Sequence, residues 1–487
     1  MITFIISLVL LVLGYLLYGK FVEKAFGPDP SRPTSAVSNA DGVDFIPMPT
    51  WKIFMIQFLN IAGTGPIFGA IMGAKFGPSA YLWIVLGCIF AGAVHDYLSG
   101  MLSLRHNGAN LPQLIGLYLG KTTKSVMLAF SVILLLLVGA VFVYSPAELL
   151  QNIWGTKLMW IIIIFIYYLI ATLLPIDKII GKIYPLFAIS LLFMAVALMV
   201  CLFVKWPTLP ELWNGLGNMG TEVDPSFTDQ IFPCLFITIA CGAISGFHAT
   251  QSPMMARCMK NEKLGRPIFY GAMITEGLVA LIWATVAMFF FYGSPSPGYE
   301  LMEAANETGF HTSAPTVVGL ICNDWLGVFG GILAMLGVVA APITTGDTAF
   351  RSCRLIVAEW LKLDQSPILK RLLISIPIFA ISILILVWQI QNPDGFNTIW
   401  QYFGWANQAL AVFSLWAFTV YLVRSHKLYI LTLIPALFMT TVCTTFLCIS
   451  KNAFHLAPQI SYTIGGCACV VALVWFILWK VRESKKN

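Results

Sequence analysis

Ala62-Gly63-Thr64-Gly65-Pro66 and Gly242-Ala243-Ile244-Ser245-Gly246-Phe247-His248-Ala249-Thr250-Gln251-Ser252-Pro253 each interrupt an apolar run long enough to cross a bilayer. Proline removes a backbone donor and clashes with the preceding turn, and glycine costs about 1 kcal/mol against alanine inside a helix. Both stretches are therefore expected to be breaks, with Gly63 to Pro66 and Ser245 to Pro253 non-helical near the middle of their spans. Lipid supplies no hydrogen bonds, so broken backbone at membrane depth has to line a space enclosed by protein.

Working outward, a hydrocarbon core of about 30 Å needs roughly 20 helical residues. On that ruler thirteen spans are expected, near 2–19, 51–73, 80–104, 125–145, 158–174, 183–204, 230–257, 268–292, 327–355, 371–391, 397–421, 428–450 and 459–480. The breaks fall in spans two and seven. Five spans apart, they run in opposite directions, which is the signature of two inverted five-helix repeats that place a solute site at the bilayer midplane. The fold class expected is thus an all-α membrane protein with a five-plus-five core. One helix is added before it and two after it. The corresponding boundaries are 1–50 for the first span and its loop, 51–204 and 205–421 for the two repeats, and 422–487 for two final spans and a basic tail.

Composition agrees. With 59% hydrophobic and 10% charged residues and a mean hydropathy of +0.84, the chain is far from a water-soluble domain, whose charged fraction is about 25%. Of its 28 Lys and Arg residues, all but Lys75, Lys157, Lys205 and Lys451 fall in every second connection or the C-terminal tail. By the positive-inside rule the N-terminus is expected outside and the C-terminus in the cytoplasm. The same rule accounts for the net charge of +6, so no nucleic-acid partner is expected. The run Ile2 to Tyr18 has no basic n-region or small-residue cleavage site and reads as a retained span rather than a signal peptide. The eleven cysteines show no disulfide spacing and no zinc set, so neither a structural metal nor a cofactor is expected.

With these motifs in place the chain resembles the carbon starvation protein A family of bacterial inner-membrane transporters. The resemblance is carried by Asn60-Ile61-Ala62-Gly63-Thr64-Gly65-Pro66-Ile67, His95-Asp96-Tyr97, Ser245 to Pro253, and Ala341-Pro342-Ile343-Thr344-Thr345-Gly346-Asp347-Thr348-Ala349-Phe350-Arg351. It implies a multi-pass protein of the bacterial inner membrane that takes up pyruvate or short peptides when preferred carbon runs out. It also implies the five-plus-five fold shared with amino acid, polyamine and organocation transporters. Longer members continue with further spans after the point where this sequence stops. In sodium-coupled relatives of that fold a tandem Thr or Ser pair completes a cation site with carbonyls of the first broken helix. Here that set would be Ala341, Thr344 and Thr345 with the Ile61 to Thr64 stretch. The coupling ion is accordingly expected to be Na+ or H+.

The residues expected to bind solute are those at the breaks: Asn60, Gly63, Thr64 and Gly65, with Ser245, Gly246, His248 and Gln251. They offer backbone amides, an imidazole and side-chain amides, a set that suits a small polar or carboxylate-bearing solute. Intramembrane acids are costly and default to functional roles, so Asp96, Glu276 and Asp347 are the gating or proton candidates. For Asp347 an i,i+4 ion pair with Arg351 is the structural alternative; for the threonines it is back-bonding to the preceding turn. Trp405, Asn407 and Gln408 are a weaker lining candidate, read first as aromatic core. An enzyme is not expected. An intramembrane aspartyl protease would need Gly-x-Gly-Asp where this chain has Thr344-Thr345-Gly346-Asp347, and zinc or rhomboid motifs are absent. A channel is the competing transport reading; it has no need of paired broken helices.

Overall fold

A computed structural model describes residues 1–40, 45–151, 153–173, 176–220, 229–292, 313–363, 365, 367–392 and 395–485. It is a bundle of helices, without strand among the described residues. Among the described residues, nine helices are long and apolar enough to cross a membrane. They are α1 (Ile2–Phe26), α4 (Ser79–Arg105), α6 (Lys121–Gln151), α8 (Tyr184–Lys205), α10 (Glu262–Tyr292), α12 (Ile368–Gln391), α13 (Thr398–Arg424), α14 (Ile430–Ile449) and α15 (Pro458–Ser484). A tenth crossing is the pair Thr50–Ile61 and Gly65–Phe76, here α2 and α3, bent by 43° at the break between them. Three further helical stretches lie where spans were expected: α7 (Lys157–Leu173), α9 (His248–Ala256) after the second break, and α11 (Ala314–Trp360). Within α11, Gly327 adopts φ 63° and divides the helix where the ninth span was expected to begin.

Both breaks end sooner than the sequence suggested. Helix resumes at Gly65, not after Pro66. A proline at the first helical positions has no missing bond to lose and a φ already suited to helix, so Gly65-Pro66 starts α3 rather than prolonging the break. The second break spans 239–247, and helix resumes at His248 with Pro253 inside α9. Ser245 to Phe247 are non-helical as expected, whereas Thr250 to Pro253 are helical. Gly242, at φ +91°, turns the chain through a conformation that other residues rarely adopt.

Burial sorts the helices into layers. In α4 and α10 83% of the apolar window is buried, against 11% in α15, whose Val470, Val471, Val474, Trp475 and Leu478 are exposed. The first two are the centre of the bundle and α15 is a peripheral helix with apolar residues facing outward, as lipid demands. Helices α6 and α11 pack most extensively, with Gly139 of α6 under the Phe350 ring of α11. In membranes such close approach of small residues replaces the hydrophobic drive between helices.

One end of the bundle is closed by a charged knot. Arg105 donates to both Glu262 oxygens (Nε 3.1 Å, Nη2 2.9 Å), to the Tyr421 hydroxyl (2.8 Å) and to the Gly27 carbonyl (2.9 Å). Glu262 also accepts the Asp29 amide at 2.7 Å. The Glu262 side chain is 1% exposed, so it cannot exchange these partners for water. Removing one charge of such a buried pair costs about 3–5 kcal/mol. Glu262→Gln is therefore expected to lower the unfolding midpoint of the purified protein clearly; an unchanged midpoint would reduce the knot to surface decoration.

Candidate functional site

The two breaks meet. A Cβ added at Gly65 would lie 2.4 Å from Cys241 Sγ, and one at Gly69 would lie 2.9 Å from the Thr238 carbonyl. The N-terminus of α3 therefore abuts the second break. That break is clasped from two further sides: a Cβ at Gly92 of α4 would be 2.1 Å from the Ala243 carbonyl, and one at Gly246 would be 2.3 Å from both the Asn407 carbonyl and the Ala411 nitrogen of α13.

Backbone freed at a break needs new partners, and side chains supply them. Asn407 Oδ1 accepts the Phe247 amide at 2.6 Å and the Ser245 hydroxyl at 3.0 Å. Trp83 Nε1 donates to the Ile239 carbonyl and Gln408 Nε2 to the Phe236 carbonyl, each at 2.8 Å. Asn407 and Gln408 thus hold the break, which is more than the aromatic-core reading gave them. At the first break, Ala62 N–H still takes the Phe58 carbonyl. The orphaned carbonyls of Leu59 and Asn60 then face Thr345 Oγ1, each at 3.3 Å. This corrects the expected set: the carbonyls meeting the threonine pair lie before Ile61, because the orphans of a helix end are those of its last turn. Both Thr344 and Thr345 also lie within bonding distance of the Ala341 carbonyl, 2.8 and 2.9 Å. One hydroxyl proton on Thr345 therefore faces three carbonyl oxygens.

Three of the sequence candidates converge on one imidazole. His248 Nδ1 is 2.7 Å from Asp96 Oδ2, and its Nε2 is 3.5 Å from Glu276 Oε2. The other Asp96 oxygen meets His95 Nδ1 at 2.9 Å, and His95 Nε2 meets Ser414 Oγ at 2.6 Å. An ionised carboxylate only accepts, so each Nδ1 carries a hydrogen; His248 Nε2 keeps a lone pair in the neutral ring and donates in the charged one. Asp96, His95, His248, Glu276 and Ser414 are all 0% exposed. Cys241 Sγ joins the cluster: it, His248 and Glu276 present ligand atoms all within 4.8 Å of one another.

Several buried polar atoms around the breaks have no hydrogen-bond partner among the described residues. They include both amide atoms of Asn60 and of Gln57, Thr64 Oγ1 and Gln251 Oε1. Gln251 Nε2 donates to Thr250 rather than to the cluster. Asp347 stands apart from His248. Its Oδ2 accepts the Tyr184 hydroxyl at 2.6 Å, while Oδ1 has no hydrogen-bond partner among the described residues, and Arg351 Nη2 donates to the Ala171 carbonyl at 2.8 Å. A cavity of about 340 Å³ lies next to the second break, lined by Lys75, Asp229, Thr238, Gln401 and Lys451, with Lys75 paired to Asp229 at 3.1 Å. The cluster itself is closed off.

Sequence reading missed Cys241, Ser414, Tyr184 and Gln57 as members of these sites. Cys241 lies seven residues before His248, a spacing broken by non-helical chain, so no periodicity could pair them. Gln57 carried a signal, being a polar residue three positions before Asn60 on the same helix face of an apolar run.

The family model described as Carbon starvation protein CstA matches residues 1–156, 143–314 and 299–446. An uncharacterized membrane protein of Haemophilus influenzae is 48% identical over 339 residues, 60% of this chain and 91% of that one. The peptide transporter CstA of Campylobacter jejuni is 28% identical, over 88% of this chain and 77% of that one. The pyruvate/proton symporter BtsT of Escherichia coli is 27% identical, over 59% of this chain and 49% of that one. Among solved structures, an Eremococcus coleocola manganese transporter in complex with an aromatic bis-isothiourea substituted compound aligns at a TM-score of 0.57. It is 12% identical, with 92% of this chain and 99% of that chain covered; the likeness is one of fold.

Proposed function

The chain belongs to the carbon starvation protein CstA family, and on that premise we propose that it is a secondary transporter importing a small carboxylate-bearing nutrient across the bacterial inner membrane. Relatives carrying transporter names support this. The observation that carries it is the contact of the two broken helices at Gly65 and Cys241, with buried polar atoms on both sides that have no hydrogen-bond partner among the described residues. Leaving such a group unsatisfied costs about 1–3 kcal/mol. Evolution tolerates several together where a solute completes them. In this reading residues 51–204 and 205–421 are inverted repeats within a thirteen-span protein whose N-terminus is outside. The solute lies between Asn60 to Gly65 on one side and Ser245, Gly246, His248 and Gln251 on the other.

The charge of the solute follows from the same residues. Neither break holds Lys or Arg, so an anion is met by the N-termini of α3 and α9, each equivalent to roughly half a positive charge. Two such ends suit one carboxylate. Pyruvate, or the terminal carboxylate of a short peptide, is favoured over dicarboxylates and phosphorylated solutes, which normally recruit Arg or Lys. In competition assays pyruvate and short peptides are expected to displace bound solute better than dicarboxylates do; the reverse order contradicts the charge argument.

Coupling is assigned to α11. Thr345, facing the carbonyls of Leu59, Asn60 and Ala341, is the oxygen-rich corner that a sodium ion would use. Asp347, buried beside Tyr184 with one oxygen unbonded among the described residues, is the acid that a proton would use. Uptake of labelled pyruvate and of small peptides into proteoliposomes, under separately imposed sodium and proton gradients, tests the whole reading. Saturable uptake driven by one of the two gradients is expected, and non-saturating flux would mark a channel. Thr345→Ala is expected to remove any sodium dependence, and Asp347→Asn any proton dependence.

A further inference from the structure

We propose that Cys241, His248 and Glu276 form a binding site for a borderline divalent transition-metal ion of the zinc class. The three side chains offer one sulfur, one imidazole nitrogen and one carboxylate, all within 4.8 Å of one another. A tetrahedral site with N and O ligands at about 2.0–2.2 Å has a ligand-to-ligand edge of roughly 3.3–3.6 Å. His248 Nε2 and Glu276 Oε2 already stand 3.5 Å apart. Cys241 Sγ lies within 4.8 Å of both ligand atoms.

The surroundings are those of a ligand set rather than of a chance cluster. Metal-bound histidines almost always hand their other nitrogen to a carboxylate, which fixes the ring and raises its basicity. Asp96 takes His248 Nδ1 at 2.7 Å, is itself held by His95 at 2.9 Å, and His95 is held by Ser414 at 2.6 Å. That leaves His248 Nε2 and Glu276 Oε2 buried and facing each other at 3.5 Å. Asn407 Nδ2 and Ser245 Oγ stand 3.9 and 3.7 Å from Cys241 Sγ, and steady it. Sulfur and imidazole exclude magnesium and calcium and select zinc-class ions. The thiol proton of Cys241 leaves as the ion binds, and the resulting thiolate with the Glu276 carboxylate neutralises the doubly charged ion. Three protein ligands leave one position open, as in sites that exchange a ligand rather than in structural ones. An ion seated there competes with the solute for His248 Nε2.

The test uses the full chain purified in detergent, carrying Cys467→Ser and Cys469→Ser to remove an exposed and a half-buried thiol close together in sequence. It is incubated to equilibrium with cadmium chloride and, separately, zinc sulfate, without organic solute. One ion bound per chain is expected, with the ultraviolet charge-transfer absorption of a cadmium–thiolate bond that disappears in Cys241→Ser. Asp96→Asn, which touches no ion, is expected to weaken binding about 10- to 100-fold. No saturable binding of either ion, or an absorption and stoichiometry unchanged in Cys241→Ser, overturns the proposal. Should Cys241→Ser not fold, Glu276→Gln is read in its place, and an affinity equal to the parent's overturns the proposal equally. Transport is scored separately in proteoliposomes, so a failed uptake assay leaves the binding result standing.

Discussion

Exchanging His248 for alanine is expected to cut solute uptake sharply while the protein still reaches the membrane in normal amount. The ring stands between Asp96 and Glu276 and presents its Nε2 at the junction of the two breaks. A hydrogen bond to a charged solute is worth about 1.5–3 kcal/mol, which corresponds to a loss of roughly 10- to 150-fold in uptake at low concentration. Alanine adds no bulk, and Asp96 keeps His95 as its partner, so the folded protein survives. Initial rates of uptake per reconstituted molecule measure the effect. Unchanged kinetics would return His248 to the class of packed, hydrogen-bonded membrane histidines.

The second large effect is expected from Gly246→Ala. Its new methyl would sit 2.3 Å from two backbone atoms of α13, the Asn407 carbonyl oxygen and the Ala411 nitrogen. Backbone cannot rotate away as a side chain can, so α13 has to retreat by about 1 Å. Overpacking of this kind typically costs about 1–3 kcal/mol, and more where backbone moves. The retreat also pulls Asn407 from the Phe247 amide and the Ser245 hydroxyl, so uptake should fall together with the unfolding midpoint. Gly466→Ala is the control, since nothing lies within 4 Å of its added methyl. It should be neutral or gain up to about 1 kcal/mol from helix propensity. Equal behaviour of the two variants would mean that α13 does not clamp the break.

What could be read from the sequence was local. Gly and Pro at 63–66 and 242–253 announced broken helices because those residues alone carry a backbone penalty large enough to see without a fold. The apolar runs gave the helices, but several continue past the expected spans, α1 to Phe26 and α6 to Gln151, because helix does not stop where the hydrocarbon does. The extents of the breaks were misjudged. Pro66 and Pro253 look alike as letters, yet one starts a helix and the other sits within one. Asp96, Glu276 and His248 were each singled out by the cost of burying them, but their meeting was not visible. It depends on how spans three, seven and eight cross, which no single run encodes. Cys241 was hidden for a different reason: cysteine in a membrane span is usually a small apolar filler, and only the approach of Glu276 to His248 gives it another meaning. The threonine pair lies on α11, and the carbonyls Thr345 faces come before the Ile61 to Thr64 stretch, because Ala62 ends its helix with a bond back to Phe58.

The central claim is that the solute lies where the two broken helices meet. An experimental structure of the protein saturated with labelled pyruvate, or with a short peptide if that is the better substrate in uptake, tests it most directly. Ligand density between Asn60 to Gly65 and Ser245 to His248, with its carboxylate at the N-termini of α3 and α9, is the predicted result. Density confined to the cavity lined by Lys75, Asp229 and Lys451, with the junction at Gly65 and Cys241 still closed by protein atoms, would contradict it.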